Sequence, residues 1–74
     1  MARYYFDIVE NGRELVDDYG DELSSDDEAK RHVRQLLAEQ AKSLLRNKGA
    51  GEIIVKVRDA SGSRFHAKLS VSLE

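Results

Sequence analysis

Hydrophobic and polar residues alternate at both ends of this chain and follow a helical period between them. Residues 3–9, Arg-Tyr-Tyr-Phe-Asp-Ile-Val, are aromatic and β-branched and lead into Asn11-Gly12. Asn-Gly favours a two-residue hairpin turn, because both central positions need positive φ. That turn pairs Glu10 with Arg13, Val9 with Glu14 and Ile8 with Leu15. Tyr4, Phe6, Ile8 and Leu15 then share one face of the hairpin, and Arg3, Tyr5, Asp7, Val9 and Val16 the other.

A second hairpin is written at the far end. Ile53, Val55 and Val57 alternate with Ile54, Lys56 and Arg58, and Phe65, Ala67, Leu69, Val71 and Leu73 alternate with His66, Lys68, Ser70 and Ser72. Ala60-Ser61-Gly62 suits a three-residue loop with Gly62 in the left-handed bulge position. It pairs Val57 with Phe65, Val55 with Ala67 and Ile53 with Leu69. On the opposite face it sets Arg58 across from Arg64, Lys56 across from His66, and Ile54 across from Lys68.

Between the hairpins, Ala29, Val33, Leu36, Leu37, Ala41, Leu44 and Leu45 recur at helical spacing. They predict one apolar stripe on a helix from about Asp26 to Asn47. Ser25 with Glu28 reads as a capping box, and Gly49 is placed to cap the C-terminus. Asp26–Lys30 and Asp27–Arg31 lie four apart with the acid first, the favourable order. The segment from Asp17 to Glu28 holds seven acids and no base; Gly20 breaks its strand pattern and Leu23 is its one expected buried anchor.

The expected fold is α+β, a β-hairpin–α-helix–β-hairpin (ββαββ) in one domain spanning residues 1–74. One helix packs on one face of a four-stranded, mainly antiparallel sheet. A right-handed crossover from strand 2 over strand 1 gives the order 2-1-3-4.

Composition narrows the function classes. Ordering 74 residues costs about 110 kcal/mol, nearly what burial of their apolar surface returns, so the domain is marginal alone and self-association would help it. The chain has no Cys, which removes disulfides, thiol nucleophiles and Cys-ligated zinc. No apolar run has the length of a membrane span and no signal-peptide core is visible, so a cytoplasmic chain without membrane partners is expected. His32 and His66 are the only imidazoles, and no spacing joins either to a nucleophile and an orienting acid. Gly49 and Gly51 follow a helix, whereas phosphate loops precede one. The acids around Gly20 are adjacent rather than alternating, unlike a calcium loop. No catalytic residue, cofactor or metal is therefore expected.

The sheet face away from the helix is the most informative surface. It carries Arg3, Tyr5, Val9, Ile54, Lys56, Arg58, Arg64, His66 and Lys68 by strand parity. Like charges across strands are unfavourable, so a basic row with an aromatic neighbour suggests a partner face. Nucleic-acid binders use such rows for phosphates and base stacking. The formal net charge of −2 and the single aromatic tell against that use. The outward apolar residues favour a protein partner or a homodimer, formed through this face or an edge strand.

The opening Arg3-Tyr4-Tyr5-Phe6-Asp7-Ile8, with Asn11-Gly12, Asp17-Asp18, Gly20, Leu23 and Ala29, resembles a family of short alphaproteobacterial proteins known only as a domain of unknown function. The likeness covers nearly the whole chain and implies no catalytic residues. At the level of fold alone, the chain is also similar to HicB-type antitoxins, in which a hairpin leads through a Gly-Asp segment into a helix. The extra strand and proline-rich turn of that pattern are missing here. The expected function is a small non-enzymatic interaction or regulatory module, with weak nucleic-acid binding as the alternative.

Overall fold

The computed structural model describes residues 1–73. Its elements run β1 (Ala2–Glu10), β2 (Arg13–Leu15), β3 (Asp21–Leu23), α1 (Asp26–Asn47), β4 (Gly51–Asp59) and β5 (Gly62–Val71). All the strand pairs are antiparallel, in the order β2-β1-β4-β5 with β3 also on β1. The fold is α+β, as the alternation requires, and the hairpin–helix–hairpin order follows the crossover expectation.

The sheet has five strands rather than four, and the acidic connection supplies the extra one. β2 pairs only Ile8–Glu10 of β1, which leaves the first half of that nine-residue strand bare. The chain bows outward at Val16–Gly20 and returns to the same edge, where Asp21–Leu23 pair with Ala2–Tyr4. Five residues thus stand opposite Tyr5, Phe6 and Asp7. The excess of two preserves parity, so Leu15 and Leu23 both lie on the helix side.

α1 spans the predicted residues. The Ser25 hydroxyl accepts from the Glu28 amide at 3.2 Å, forming half of the capping box. The reciprocal half shifts by one residue, because the Glu28 carboxylate takes the Ser24 amide and hydroxyl instead. At the other end, the amides of Lys48 and Gly49 both donate to the Leu44 carbonyl, at 2.8 and 3.0 Å. Asn11 (φ 50) and Gly12 (φ 85) form the left-handed turn expected of Asn-Gly. Asn11 also ties that turn to β4, its amide donating to the Glu52 carbonyl and its side-chain oxygen accepting from the Glu52 amide.

β4 forms the middle of the core, with Ile53, Val55 and Val57 fully buried. Tyr4 and Phe6 of β1 and Ala29 and Val33 of α1 close over Val55 and Val57. The Phe6 ring meets His32 at 4.5 Å between centroids, and the Tyr4 hydroxyl donates to Asp26 at 2.8 Å. Three leucines of the predicted apolar face, Leu15, Leu45 and the terminal Leu73, are left uncovered. Leu15 is 66% exposed because β2 is only three residues long, and Leu45 is 50% exposed on the flank of the helix.

The β4–β5 register agrees with expectation from Ile53–Leu69 to Val57–Phe65 and then slips. The loop is the two residues Ala60-Ser61, Asp59 faces Gly62, and Arg58 faces Ser63. Arg64 is the extra residue of the resulting bulge. It does not sit across from Arg58 but reaches Asp26 at 2.6 Å and Asp59 at 3.3 Å. Two carboxylates near the helix N-terminus are better partners for a guanidinium than another cation across the strand.

Candidate interaction surfaces

Each candidate residue of the outer face has a definite place. Arg3, Tyr5 and Val9 lie on β1, Ile54, Lys56 and Arg58 on β4, and His66 and Lys68 on β5. Lys56 pairs with His66 and Ile54 with Lys68, as expected. Arg64, held by Asp26 and Asp59, does not stand across from Arg58 but borders the same depression as Ile54, Lys56, Arg58 and His66.

The face is not a basic row. Arg3 pairs with Glu22 at 3.1 Å, Lys56 with Glu14 at 3.7 Å, Arg58 with Asp7 at 2.8 Å and Lys68 with Glu52 at 2.9 Å. The apolar residues between these pairs are half-buried: Tyr5 lies under the Arg58 guanidinium, 4.5 Å from ring centroid to Cζ, and Val9 and Ile54 are partly covered. An open depression of about 370 Å³ lies beside Ile54, Lys56, Arg58 and His66. Parity placed these side chains correctly, but their charge is answered strand by strand.

Sequence reasoning missed the best-built polar cluster, which centres on Asp7. Asp7 is 7% exposed although it lies on the side away from the helix. Its carboxylate accepts from Arg58 Nε at 2.8 Å and from the Asp17 amide at 2.8 Å. Asp17 in turn accepts from the amides of Phe6, Tyr19 and Gly20 at 3.0–3.1 Å, and its carbonyl accepts from Arg58 at 2.8 Å. The Arg58 hydrogen bond and the Asp17 amide hold Asp7 below its ordinary 3.8 against the opposing effect of burial. Burial pushes Asp17 upward, but the amides of Gly20, Phe6 and Tyr19 outweigh it and keep that carboxyl below 3.8 as well. The available signal was an Asp placed inside an otherwise apolar strand.

The cluster closes one edge of the sheet, and the other edge is open. β5 runs ten residues, the last of the sheet, and among the described residues nothing pairs with its far side. Its helix-facing side chains, Phe65, Ala67, Leu69 and Val71, are only half-buried. A depression of about 340 Å³ lies between the first two of these and α1, lined by Lys30, Val33, Arg34, Leu37, Phe65, His66 and Ala67. At about 100° per residue, Ala41 and the exposed Leu45 continue this flank of the helix along β5. Leu73, 79% exposed, extends the apolar row beyond the strand. The opposite flank presents Gln40 and Ser43 beside Ile8 and Leu15. The sequence placed Leu45 in the core stripe; the structure makes it part of an apolar shelf instead.

Among the described residues, no helix is long and apolar enough to cross a membrane, and no group of three or more His, Asp or Glu is arranged to hold a metal ion. No curated protein and no solved structure matches the chain. Residues 3–70 match the family model DUF6894, a domain of unknown function, and the matched range holds the helix and all but the outermost residues of the two hairpins. The chain belongs to this family.

Proposed function

We propose that this chain is a small, non-enzymatic cytoplasmic interaction module that self-associates through the free edge of β5. The observation that carries the reading is the pairing of an uncovered ten-residue edge with an apolar shelf on its helix side. A long edge strand presents unpaired amides and carbonyls, and natural folds blunt or cover such edges unless another strand adds to them. The surface area supports the same reading. The chain exposes 5213 Å², against about 4,600 Å² for a compact monomer of this mass. The excess is on the order of what one partner contributes to a standard interface.

The outer sheet face supports this role less well, because its cations already have carboxylates. The same pairing weakens the nucleic-acid alternative, which needs cations free to meet phosphates.

Sedimentation at micromolar concentration tests the proposal. A dimer is expected, and it should become a folded monomer when Leu45 and Leu73 are both changed to Glu. Ile54→Glu, on the outer face, should leave the dimer intact. A monomeric wild type would overturn the reading, and dissociation by Ile54→Glu alone would move the interface to the outer face. Titration with DNA and RNA at two salt concentrations covers the alternative, where tight binding with a steep salt slope would favour nucleic acid.

A further inference from the structure

We infer that the second copy adds antiparallel to β5 about a two-fold axis through Leu69, and that this register is set by the charges of the strand. The inference rests on the self-association proposed above and deepens it. A two-fold axis perpendicular to the sheet keeps both helices on one side and pairs residues of the same face. It must therefore pass through a residue pair rather than between two.

The strand offers few such positions. An axis at His66 stacks His66 on itself and sets Arg64 against Lys68 of the second copy. At Ala67 it sets His66 against Lys68 twice and leaves Leu73 past the start of the opposite strand. At Lys68 it brings the two Lys68 ammonium groups directly across from each other. Like charges in that position destabilise a sheet.

An axis at Leu69 removes all of these conflicts. Lys68 then faces Ser70 of the second copy, and His66 faces Ser72. On the helix side Leu69 meets Leu69, Ala67 meets Val71, and Phe65 meets the otherwise exposed Leu73. Every apolar position on the helix side of β5, from Phe65 to Val71, gains an apolar partner. Axes at Ser70 or Val71 also avoid like charges but shorten the overlap and leave Phe65 without a partner. Lys30 and Arg34, beside Phe65 at one end of the shelf, stay away from their counterparts because Phe65 lies opposite the end of the other chain.

The absence of Cys allows a direct test. Lys68 and Ser70 are exposed, so Lys68→Cys and Ser70→Cys are expected to fold as the wild type does. Paired antiparallel positions lie within disulfide reach. On mild oxidation, an equimolar mixture of the two variants should form the mixed disulfide several-fold faster than either variant links to itself. Faster self-linking of Lys68→Cys would place the axis at Lys68, and faster self-linking of Ser70→Cys would place it at Ser70; either overturns the register but not the dimer. A dimer in sedimentation with no linking in any sample would exclude β5 pairing in this register. A monomer in sedimentation would instead remove the self-association on which the register depends.

Discussion

The two edges of this sheet are built on opposite principles. The β2–β3 edge is short, broken and fastened by polar side chains. Three residues pair, five bow outward, three pair again, and Asp17 spans the gap by accepting from the Phe6 amide that the bow would otherwise leave bare. The β5 edge is long, continuous beyond its bulge and backed by half-buried apolar side chains. An edge that must not recruit another strand is interrupted in the first way, and an edge available for pairing keeps the second form. The difference supports the proposed pairing at β5 over one through the charged outer face.

Removing the fastening should have the largest effect. Asp7→Ala takes the carboxylate partner from Arg58 and the acceptor from the Asp17 amide, both at a position 7% exposed. A loss of about 3 kcal/mol is expected from such a buried, charge-assisted group. Urea unfolding measures it, and amide exchange should show lost protection at Phe6 and Gly20 while Val55 stays protected until global unfolding. A loss confined to less than about 0.5 kcal/mol would mean that the edge is not held by this cluster.

Gly20 offers a second way to break the same edge. At φ 71, an added Cβ would lie 2.7 Å from the Tyr4 carbonyl oxygen and 3.0 Å from the side chains of Arg3 and Tyr5. Gly20→Ala therefore combines backbone strain with a clash against backbone, for an expected loss of about 2 kcal/mol. Gly62 has positive φ but nothing within 4 Å of such a Cβ. Gly62→Ala should cost about 1 kcal/mol, the conformational part alone. Thermal or urea unfolding of the two variants isolates the close approach of Gly20 to β1.

What could be read from the sequence divides along the same line. The β5 side was legible because each signal there is local or periodic: alternation set the β4–β5 register from Ile53 to Val57, and the apolar period set α1. The β2–β3 side was legible only at the Asn11-Gly12 turn and the three β1–β2 pairs it sets; beyond Leu15 it was not, because Asp17 belongs to a run of acids and reads as solvated. Its role appears only once Phe6, eleven residues away, and Arg58, forty-one residues away, are brought beside it by the strand order. The bulge at Arg64 was illegible for the same reason, since the carboxylate that draws it away, Asp26, lies at the start of the helix. Leu45 shows the limit of periodicity itself, which assigns a flank to the helix but not the width of the sheet beneath it.

Acid should loosen the fastened edge before the open one. Asp7 and Asp17 are both held below the ordinary 3.8 in the folded chain, so their contribution is fully present above that value. It is lost as pH falls through their depressed folded values, because the unfolded chain takes up protons first. Stability measured by urea unfolding should therefore fall as pH is lowered past 3.8, and Asp17→Asn should reduce the slope. Asp26 and Glu28, also held low at the helix N-terminus, leave a residual slope in that variant. An unchanged slope would remove Asp17 from the acid sensitivity and leave it to Asp7 and the helix N-terminus.

The smallest effect is expected from the outer-face lattice, and a pair of double-mutant cycles compares it directly with the fastening. Glu14 and Lys56 meet at 3.7 Å with both side chains about half exposed, where water and salt screen the attraction and two long side chains lose freedom to hold it. Their coupling in a Glu14→Gln/Lys56→Met cycle should be below about 0.5 kcal/mol and should vanish at high salt. Asp7 and Arg58 meet at 2.8 Å with the carboxylate only a tenth exposed, so an Asp7→Ala/Arg58→Ala cycle should give a several-fold larger coupling that persists in salt. Equal couplings would mean that both pairs are ordinary surface contacts, and the contrast between a fastened edge and a solvated face would reduce to backbone pairing alone.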